Sequence, residues 1–300
     1  MPELPEVEHV VRALRSVVVG RTIVASEVRL PKLIAPLTAA SFNRRIKNSA
    51  ITGVSRRGKF ILIELARDAA LPRSRVSATR SRRSVIRPVT RAQDLLLAVH
   101  LRMTGKFVLL NADNDLPKHA HAIFYLDQDQ RLVFRDQRQF GVMKLIESRH
   151  LSQTKGIKEL APEPFGDEFT PEYLRALLKR SHRSLKTLLL DQTKVLGLGN
   201  IYAAEALFRA GVNPFKPANE LGSRRVARLY EAIREVLQFA VDHIRSSISL
   251  EEGFSYGAAF ERFWQVYERE GEPCVKCGTK IRRATHGGRS TYWCPRCQRG

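Results

Sequence analysis

The 300-residue chain predicts an α+β protein of several domains: an N-terminal antiparallel β-sandwich led by a helix, a helical middle part and a small cysteine-rich C-terminal module. Three observations carry this prediction. Short apolar or alternating runs, separated by turn signals, fill residues 21–65 and 95–146, as in an antiparallel sandwich. After about residue 150 the apolar period becomes helical. All four cysteines lie near the C-terminus, in two C-x2-C pairs. The expected domains are residues 1–150, 151–265 and 266–300.

The first element follows from the opening MPELPEVEHV. Pro5 suits the first position of a helix, where its missing N–H costs nothing. Val7, Val10, Val11, Leu14, Val17 and Val18 form a helical apolar stripe, and Gly20 closes it. Pro2 and Glu3 have no structural reason in this scheme. Arg57-Gly58 then separates two runs as in a hairpin. FILIEL (60–65), LLLAVHL (95–101), KFVLL (106–110), AIFYL (122–126), RLVFR (131–135) and VMKLIE (142–147) read as strands, with DQDQ (127–130) as a tight turn. Residues 67–91 hold eight arginines, one aspartate and no aromatic residue. Such a composition cannot bury enough surface to offset chain entropy, so a basic disordered insert is expected over 67–92. Its arginines are available to phosphates. Helices are expected at 171–180, after the Thr170-Pro171 cap, and at 184–190, 200–210 and 223–246, with GLG (197–199) as a turn.

A formal net charge of +21 points to a polyanionic partner, and nucleic acid is the commonest. A membrane partner is not expected. No apolar run reaches spanning length, and no basic amphipathic helix carries Trp or Phe on its other face. The N-terminus lacks a basic segment followed by an apolar core, so no signal peptide is expected.

Cys274, Cys277, Cys294 and Cys297 leave 16 residues between the two pairs, and no cysteine remains for disulfides or a thiol nucleophile. The chain therefore reads as cytoplasmic. Four thiolates at this spacing suit one tetrahedral Zn2+, structural because every ligand is protein. The intervening KIRRATHGGRSTYW would place arginines on a metal-held hairpin, a device for touching phosphates.

Removal of Met1, expected before a residue as small as Pro2, would expose a secondary amine. An α-amino group titrates near ~7.7–8, so part of it is neutral at pH 7 and nucleophilic. On DNA its electrophile is C1′ of a deoxyribose whose base is leaving. Glu3 could protonate the sugar ring oxygen, given a raised pKa. Glu6 could bond the N-terminal segment from the first helical turn. Taken alone, the stretch reads rather as an ordinary flexible terminus.

At this point the sequence resembles the formamidopyrimidine-DNA glycosylase family. The shared markers, in the family's order, are PELPEVE (2–8), RRGKF (56–60), HLRMTG (100–105), KHAH (118–121), DQRQFG (136–141), GLGNIYA (197–203) and GRSTYWC (288–294) within the zinc finger. The resemblance spans nearly the whole chain apart from the insert. It implies a helix-two-turn-helix domain before the zinc finger, and a monomer bound to damaged double-stranded DNA, nucleoid-associated in a bacterium. It also implies a base-excision-repair glycosylase and abasic-site lyase that removes oxidised purines through a Schiff base, then β,δ-elimination.

By the resemblance Pro2 is the nucleophile and Glu3 the proton donor, with Glu6 beside them. Lys59 and Arg289 contact phosphate and assist elimination. Met103, Arg138 and Phe140 fill the void left by the flipped base, and His119, Asn200 and Lys186 contact DNA. From the residues alone, Lys59 reads as a solvated lysine beside a hairpin, Asn200 as a helix cap, and Lys186 as part of a basic wall with Arg180, His182 and Arg183.

The chain departs from the family in two places. Gln139 stands where a second arginine is frequent, and RSSISLEEGFSYGAAF (245–260) lacks some glycines of the loop that closes over the lesion. Two other functions stay open: an endonuclease VIII-like glycosylase for oxidised pyrimidines, and a non-catalytic zinc-finger DNA-binding protein.

Overall fold

Helix α1 (Leu4–Val18) leads into an eight-stranded antiparallel sheet in a computed structural model that describes residues 1–67, 95–243, 247–249, 253–255 and 263–299. The strands are β1 (Thr22–Val28), β2 (Ser49–Arg57), β3 (Phe60–Arg67), β4 (Leu95–His100), β5 (Gly105–Asn111), β6 (Ala120–Leu126), β7 (Gln130–Asp136) and β8 (Val142–Glu147). Their spatial order is β5-β7-β6-β1-β2-β3-β4-β8. The sheet has a narrow waist, because β1 meets β2 only at Thr22↔Ala50 and Ile23↔Ser49. Four strands lie on each side of it. Inward residues of both halves, such as Phe107, Phe124 and Phe134 from one and Ile61, Leu97 and Met143 from the other, form one buried cluster. The expected sandwich is thus one continuous sheet folded across a two-pair hinge.

Two elements in this part depart from the mostly-strand reading of residues 21–65, a short 3-10 helix at Pro31–Ile34 and one α-helix. Helix α2 (Ala39–Ile46) lies between β1 and β2, capped by Thr38, whose hydroxyl accepts the Ser41 N–H. Phe42 and Ile46, four residues apart on one face, enter the sandwich core. The basic insert at 67–92 falls outside the described residues, except for Arg67 at the end of β3.

The second half comprises α3 (Pro171–Lys179), α4 (Leu185–Leu189), α5 (Asn200–Ala210) and α6 (Ser223–His243), close to the expected ranges. Thr170 and Ser184 cap α3 and α4 through their hydroxyls, and Gly211 ends α5 in the left-handed region that glycine favours. Short strands β9 (Ser247–Ser249) and β10 (Gly253–Ser255) pair after α6, and most of the unusual 245–260 segment lies outside the described residues. The chain ends in the hairpin β11 (Arg282–His286) and β12 (Arg289–Trp293). Among the described residues no helix is long and apolar enough to cross a membrane.

Helix α1 joins the two halves. Val7, Val10, Val11, Leu14 and Val18 enter the sandwich core, whereas Leu4 enters the helical core beside Leu198, Tyr202 and Leu237. Burying a leucine fully is worth about 1.5–3 kcal/mol. The first turn of α1 is thereby fixed at the junction.

Candidate active site

The PELPEVE and GLGNIYA segments, nearly 200 residues apart, meet at that junction. The Leu4 N–H donates to the Gly197 carbonyl at 3.0 Å. The Glu3 carboxylate reaches across to the start of α5, where it accepts N–H bonds from Gly199 (2.5 Å), Ile201 (2.8 Å) and Tyr202 (3.2 Å). It therefore takes the unpaired donors at a helix N-terminus, where negative charge is favoured. This close approach explains the glycines. A Cβ on Gly199 would lie 2.4 Å from Glu3 Cδ, and one on Gly197, whose φ is +86°, would lie 2.5 Å from Leu4 Cδ1. Gln192 holds the turn from behind, accepting the Gly197 N–H at 3.0 Å and donating to the Leu198 carbonyl at 2.8 Å.

Around Glu3 lie groups that carry and tune charge. Its own N–H donates to Glu6 Oε2 at 2.7 Å, and the Tyr202 hydroxyl donates to Glu6 Oε1 at 2.5 Å. Glu6 thus bonds the N-terminal segment as expected. Tyr202 is a partner that sequence reasoning missed, although it lies inside a quoted marker. Burial and then the Glu3 charge push the Glu6 carboxyl up to about 7. Burial also raises Glu3, against the opposing pull of Lys59 and the three N–H bonds. Lys59 follows the Gly58 turn, whose φ of +56° and close approach to Leu196 leave no room for a Cβ. The reading of Lys59 as solvated is corrected. It is 4% exposed and donates from Nζ to the Leu198 carbonyl at 2.7 Å. Burial lowers its pKa, while Glu3 and Glu6 resist and Arg289 adds to the lowering.

His100 was also missed as a site residue. Its Nδ1 accepts the Arg102 N–H at 3.0 Å and its ring meets Phe60 edge-on. Burial, then Arg102 and Lys59, push it down to about 3, so the ring is neutral with the proton on Nε2.

The cysteines converge as their spacing requires. All four Sγ atoms lie within 4.8 Å of one another, with Cys274–Cys297 at 3.9 Å and Cys277–Cys294 at 3.5 Å. Four sulfurs at about 2.3 Å from a tetrahedral Zn2+ would be about 3.8 Å apart, so the set fits one structural zinc. The Lys276 and Cys297 N–H groups point at Cys274 and Cys294 sulfurs, which favours the thiolates. Gly287 and Gly288, both at positive φ, turn the hairpin and present Arg289 on its exposed tip.

Two local readings of residues expected at the DNA are corrected here. Lys186 does not stand in an open basic wall. It is fully buried, donating from Nζ to the Ser290 carbonyl (2.6 Å) and Thr291 Oγ1 (2.8 Å). Burial and Arg289 push its pKa down to about 8. Asn200 does not cap α5. Gly199 is the N-cap, and Asn200 Nδ2 donates to the same Ser290 carbonyl at 3.0 Å. Both side chains dock the zinc hairpin onto the helices and so set where Arg289 stands. Of the neighbours grouped with Lys186, Arg183 is engaged with Asp191 at 2.8 Å, and Arg180 is exposed. Glu205, unremarked in the sequence, ties α5 to the approach to the finger by accepting the Gln265, Val266 and Tyr267 N–H groups.

A second cluster lies on the sandwich. Met103 (44% exposed) and Phe140 (52% exposed) are large apolar side chains standing in solvent, and the Arg138 guanidinium lies 5.2 Å from the Phe140 ring centroid. His119 is exposed on the adjoining segment at φ +64°. The Arg138 N–H donates to Thr104 Oγ1 at 3.0 Å and the Asp136 N–H to the His119 carbonyl at 3.0 Å, so the loops that carry Met103, Arg138, Phe140 and His119 are joined.

Comparisons with known proteins agree with this geometry. Family models match residues 1–143 (formamidopyrimidine-DNA glycosylase N-terminal domain), 160–252 (formamidopyrimidine-DNA glycosylase H2TH domain) and 271–300 (zinc finger found in FPG and IleRS). A formamidopyrimidine-DNA glycosylase of Pelotomaculum thermopropionicum is 42% identical over 300 residues, covering 100% of this chain and 99% of the relative. One from Bacillus subtilis is 37% identical, covering 99% of each. The crystal structure of Lactococcus lactis Fpg with N7-benzyl-Fapy-dG-containing DNA superposes with a TM-score of 0.85 at 32% identity, over 100% of both chains. The complex of the same enzyme with abasic-site DNA gives 0.83 at 32% identity, over 99% and 100%. The site where a glutamate seats on a distant helix beside a buried lysine, the folded sheet and the four-cysteine finger are therefore those of a chain that belongs to the formamidopyrimidine-DNA glycosylase family.

Proposed function

We propose that this chain excises oxidised purines from double-stranded DNA, with the Pro2 amine, freed of Met1, as nucleophile. The observation that carries the reading is Glu3. A terminal dipeptide is ordinarily loose, yet Glu3 is 2% exposed and held by three N–H groups of a helix 200 residues away. That arrangement supports the reading, because it holds the residue next to Pro2 in place and pairs a carboxyl of raised pKa with a buried lysine of lowered pKa that feels its charge.

The Pro2 nitrogen attacks C1′. The base leaves with the electron pair of its bond to C1′ and takes up the proton that the Pro2 nitrogen sheds; the nitrogen lone pair then expels the ring oxygen, which Glu3 protonates, and the sugar opens to an iminium. Loss of a C2′ proton then expels the 3′ phosphate, and a second elimination expels the 5′ phosphate. Arg289 on the exposed hairpin tip and Lys59 at the junction supply positive charge for the two phosphates. Met103 and Phe140 enter the stack left by the extruded nucleotide, and Arg138 offers a donor fork to the orphaned base. His119 touches the backbone beside them. We read the protein as acting as a monomer with one zinc.

Turnover of duplexes carrying 8-oxoguanine or thymine glycol tests the substrate class. Preference for 8-oxoguanine is expected. Preference for thymine glycol would favour the endonuclease VIII-like reading, and inactivity on both would favour a non-catalytic DNA-binding protein.

A further inference from the structure

We propose that Asp136 is the positioning residue of the base-opening wedge, locking the loops that carry Met103, Arg138 and Phe140 into one unit together with the His119 segment. The proposal rests on the wedge reading of Met103, Arg138 and Phe140. It adds a residue that touches no DNA and acts through all three of them.

Asp136 ends β7, is buried, and bonds into three separate segments. Its carboxylate accepts the Thr104 hydroxyl from the HLRMTG loop and the Gly141 N–H, at 2.7 Å, from the far end of its own DQRQFG loop. Thr104 Oγ1 in turn accepts the Arg138 N–H at 3.0 Å, so one hydroxyl links the Met103 loop to the Arg138 loop. The backbone of Asp136 reaches the third segment. Its N–H donates to the His119 carbonyl, and its carbonyl lies 3.0 Å from His121 Nε2.

A second observation comes from the backbone. Each segment holds one non-glycine residue in the left-handed region: Arg102 at φ +56°, His119 at +64° and Gln139 at +56°. Such residues are costly and persist where their surroundings over-determine them. The Gln139 N–H donates to the Asp136 carbonyl, and the Arg102 N–H to His100.

Both loops also close on one aromatic ring. A Cβ on Gly105 or on Gly141 would lie 2.8 Å from the buried Phe134 ring. The side chains that stand exposed are thus mounted on a base of one carboxylate, one hydroxyl and one ring. A wedge that must separate stacked bases works only if it does not recoil, and ordering it in advance removes that cost from binding.

The test compares single-turnover base excision from a fully paired 8-oxoguanine duplex with strand cleavage at a preformed abasic site in a single strand, where no base needs extrusion. The variants are Asp136→Asn, Thr104→Val and, as a direct wedge control, Phe140→Ala. Asp136→Asn and Thr104→Val should each slow excision from the paired duplex by about tenfold, the scale of one lost hydrogen bond to a charged group. Cleavage of the single-stranded abasic site should stay within about twofold of the parent, less than about a third of the tenfold effect in free-energy terms. If Phe140→Ala shows this selective loss while Asp136→Asn and Thr104→Val do not, Asp136 has no positioning role and the wedge reading stands. Equal losses on both substrates in Asp136→Asn and Thr104→Val would likewise refute positioning, since that is the mark of a general structural defect. If Phe140→Ala loses nothing on the paired duplex, the wedge reading fails and this proposal with it.

Discussion

Glu6→Gln should make the protein relatively more stable as pH rises. The Glu6 carboxyl is buried between the Glu3 N–H and the Tyr202 hydroxyl, and it titrates near 7 rather than at its ordinary 4.5. A carboxyl raised in the folded state favours folding of the protonated form. That contribution is fully present below about 4.5 and is lost as pH rises through about 7. A shift of about 2.5 units corresponds to roughly 3 kcal/mol of destabilisation above pH 7, at about 1.4 kcal/mol per unit. Glutamine fills the same space and carries no charge. The stability difference between variant and parent should therefore shift towards the variant by about 2.5 kcal/mol between pH 5 and pH 8. An offset of about 1 kcal/mol at all pH values is expected from the exchanged hydrogen bonds. Urea unfolding at pH 5, 6, 7 and 8 measures the difference, and the other carboxylates cancel in it. A difference independent of pH would show that Glu6 titrates normally and would refute the electrostatic account of the junction.

Three further outcomes follow from the geometry. Glu3→Gln should slow base removal by about 100-fold or more, the range of a lost general acid, and cost much less at a preformed abasic site; parallel assays on the two substrates check this, and equal losses would count against the assignment. Gly199→Ala should mimic Glu3→Gln in the same assays, because its Cβ would fall 2.4 Å from Glu3 Cδ; it should also cost about 1–3 kcal/mol in urea unfolding, and unchanged excision would contradict the close approach. Metal analysis should find one zinc per chain, and chelation should abolish DNA binding in a gel-shift assay while the strand signal in circular dichroism persists; full binding without metal would refute a structural role.

Much of this arrangement could be read from the chain, for identifiable reasons. Helices α1, α3 and α5 announce themselves by an apolar stripe, a Thr-Pro cap and a closing glycine, all local signals. The four cysteines needed only their spacing. Helix α2 was hidden because the prolines at 31 and 36 break the preceding segment and its eight residues offer only Phe42 and Ile46 as a pattern. The folded sheet was hidden because its waist is two residue pairs between β1 and β2, and no strand pattern records a hinge. Lys59 and Lys186 misled for a common reason. A lysine is expected in solvent, and what buries these two are the carbonyls of Leu198 and Ser290, remote in sequence. The GLG segment looked like a simple turn between helices, whereas its glycines answer to Glu3 and Leu4 nearly 200 residues earlier.

The central claim is that the Pro2 nitrogen attacks C1′. Borohydride reduction during reaction with an 8-oxoguanine duplex, followed by peptide mapping of the trapped adduct, tests it most directly. The account predicts one covalent adduct at Pro2, absent when an extra residue precedes Pro2. An adduct on Lys59, or one that survives the added residue, would contradict it.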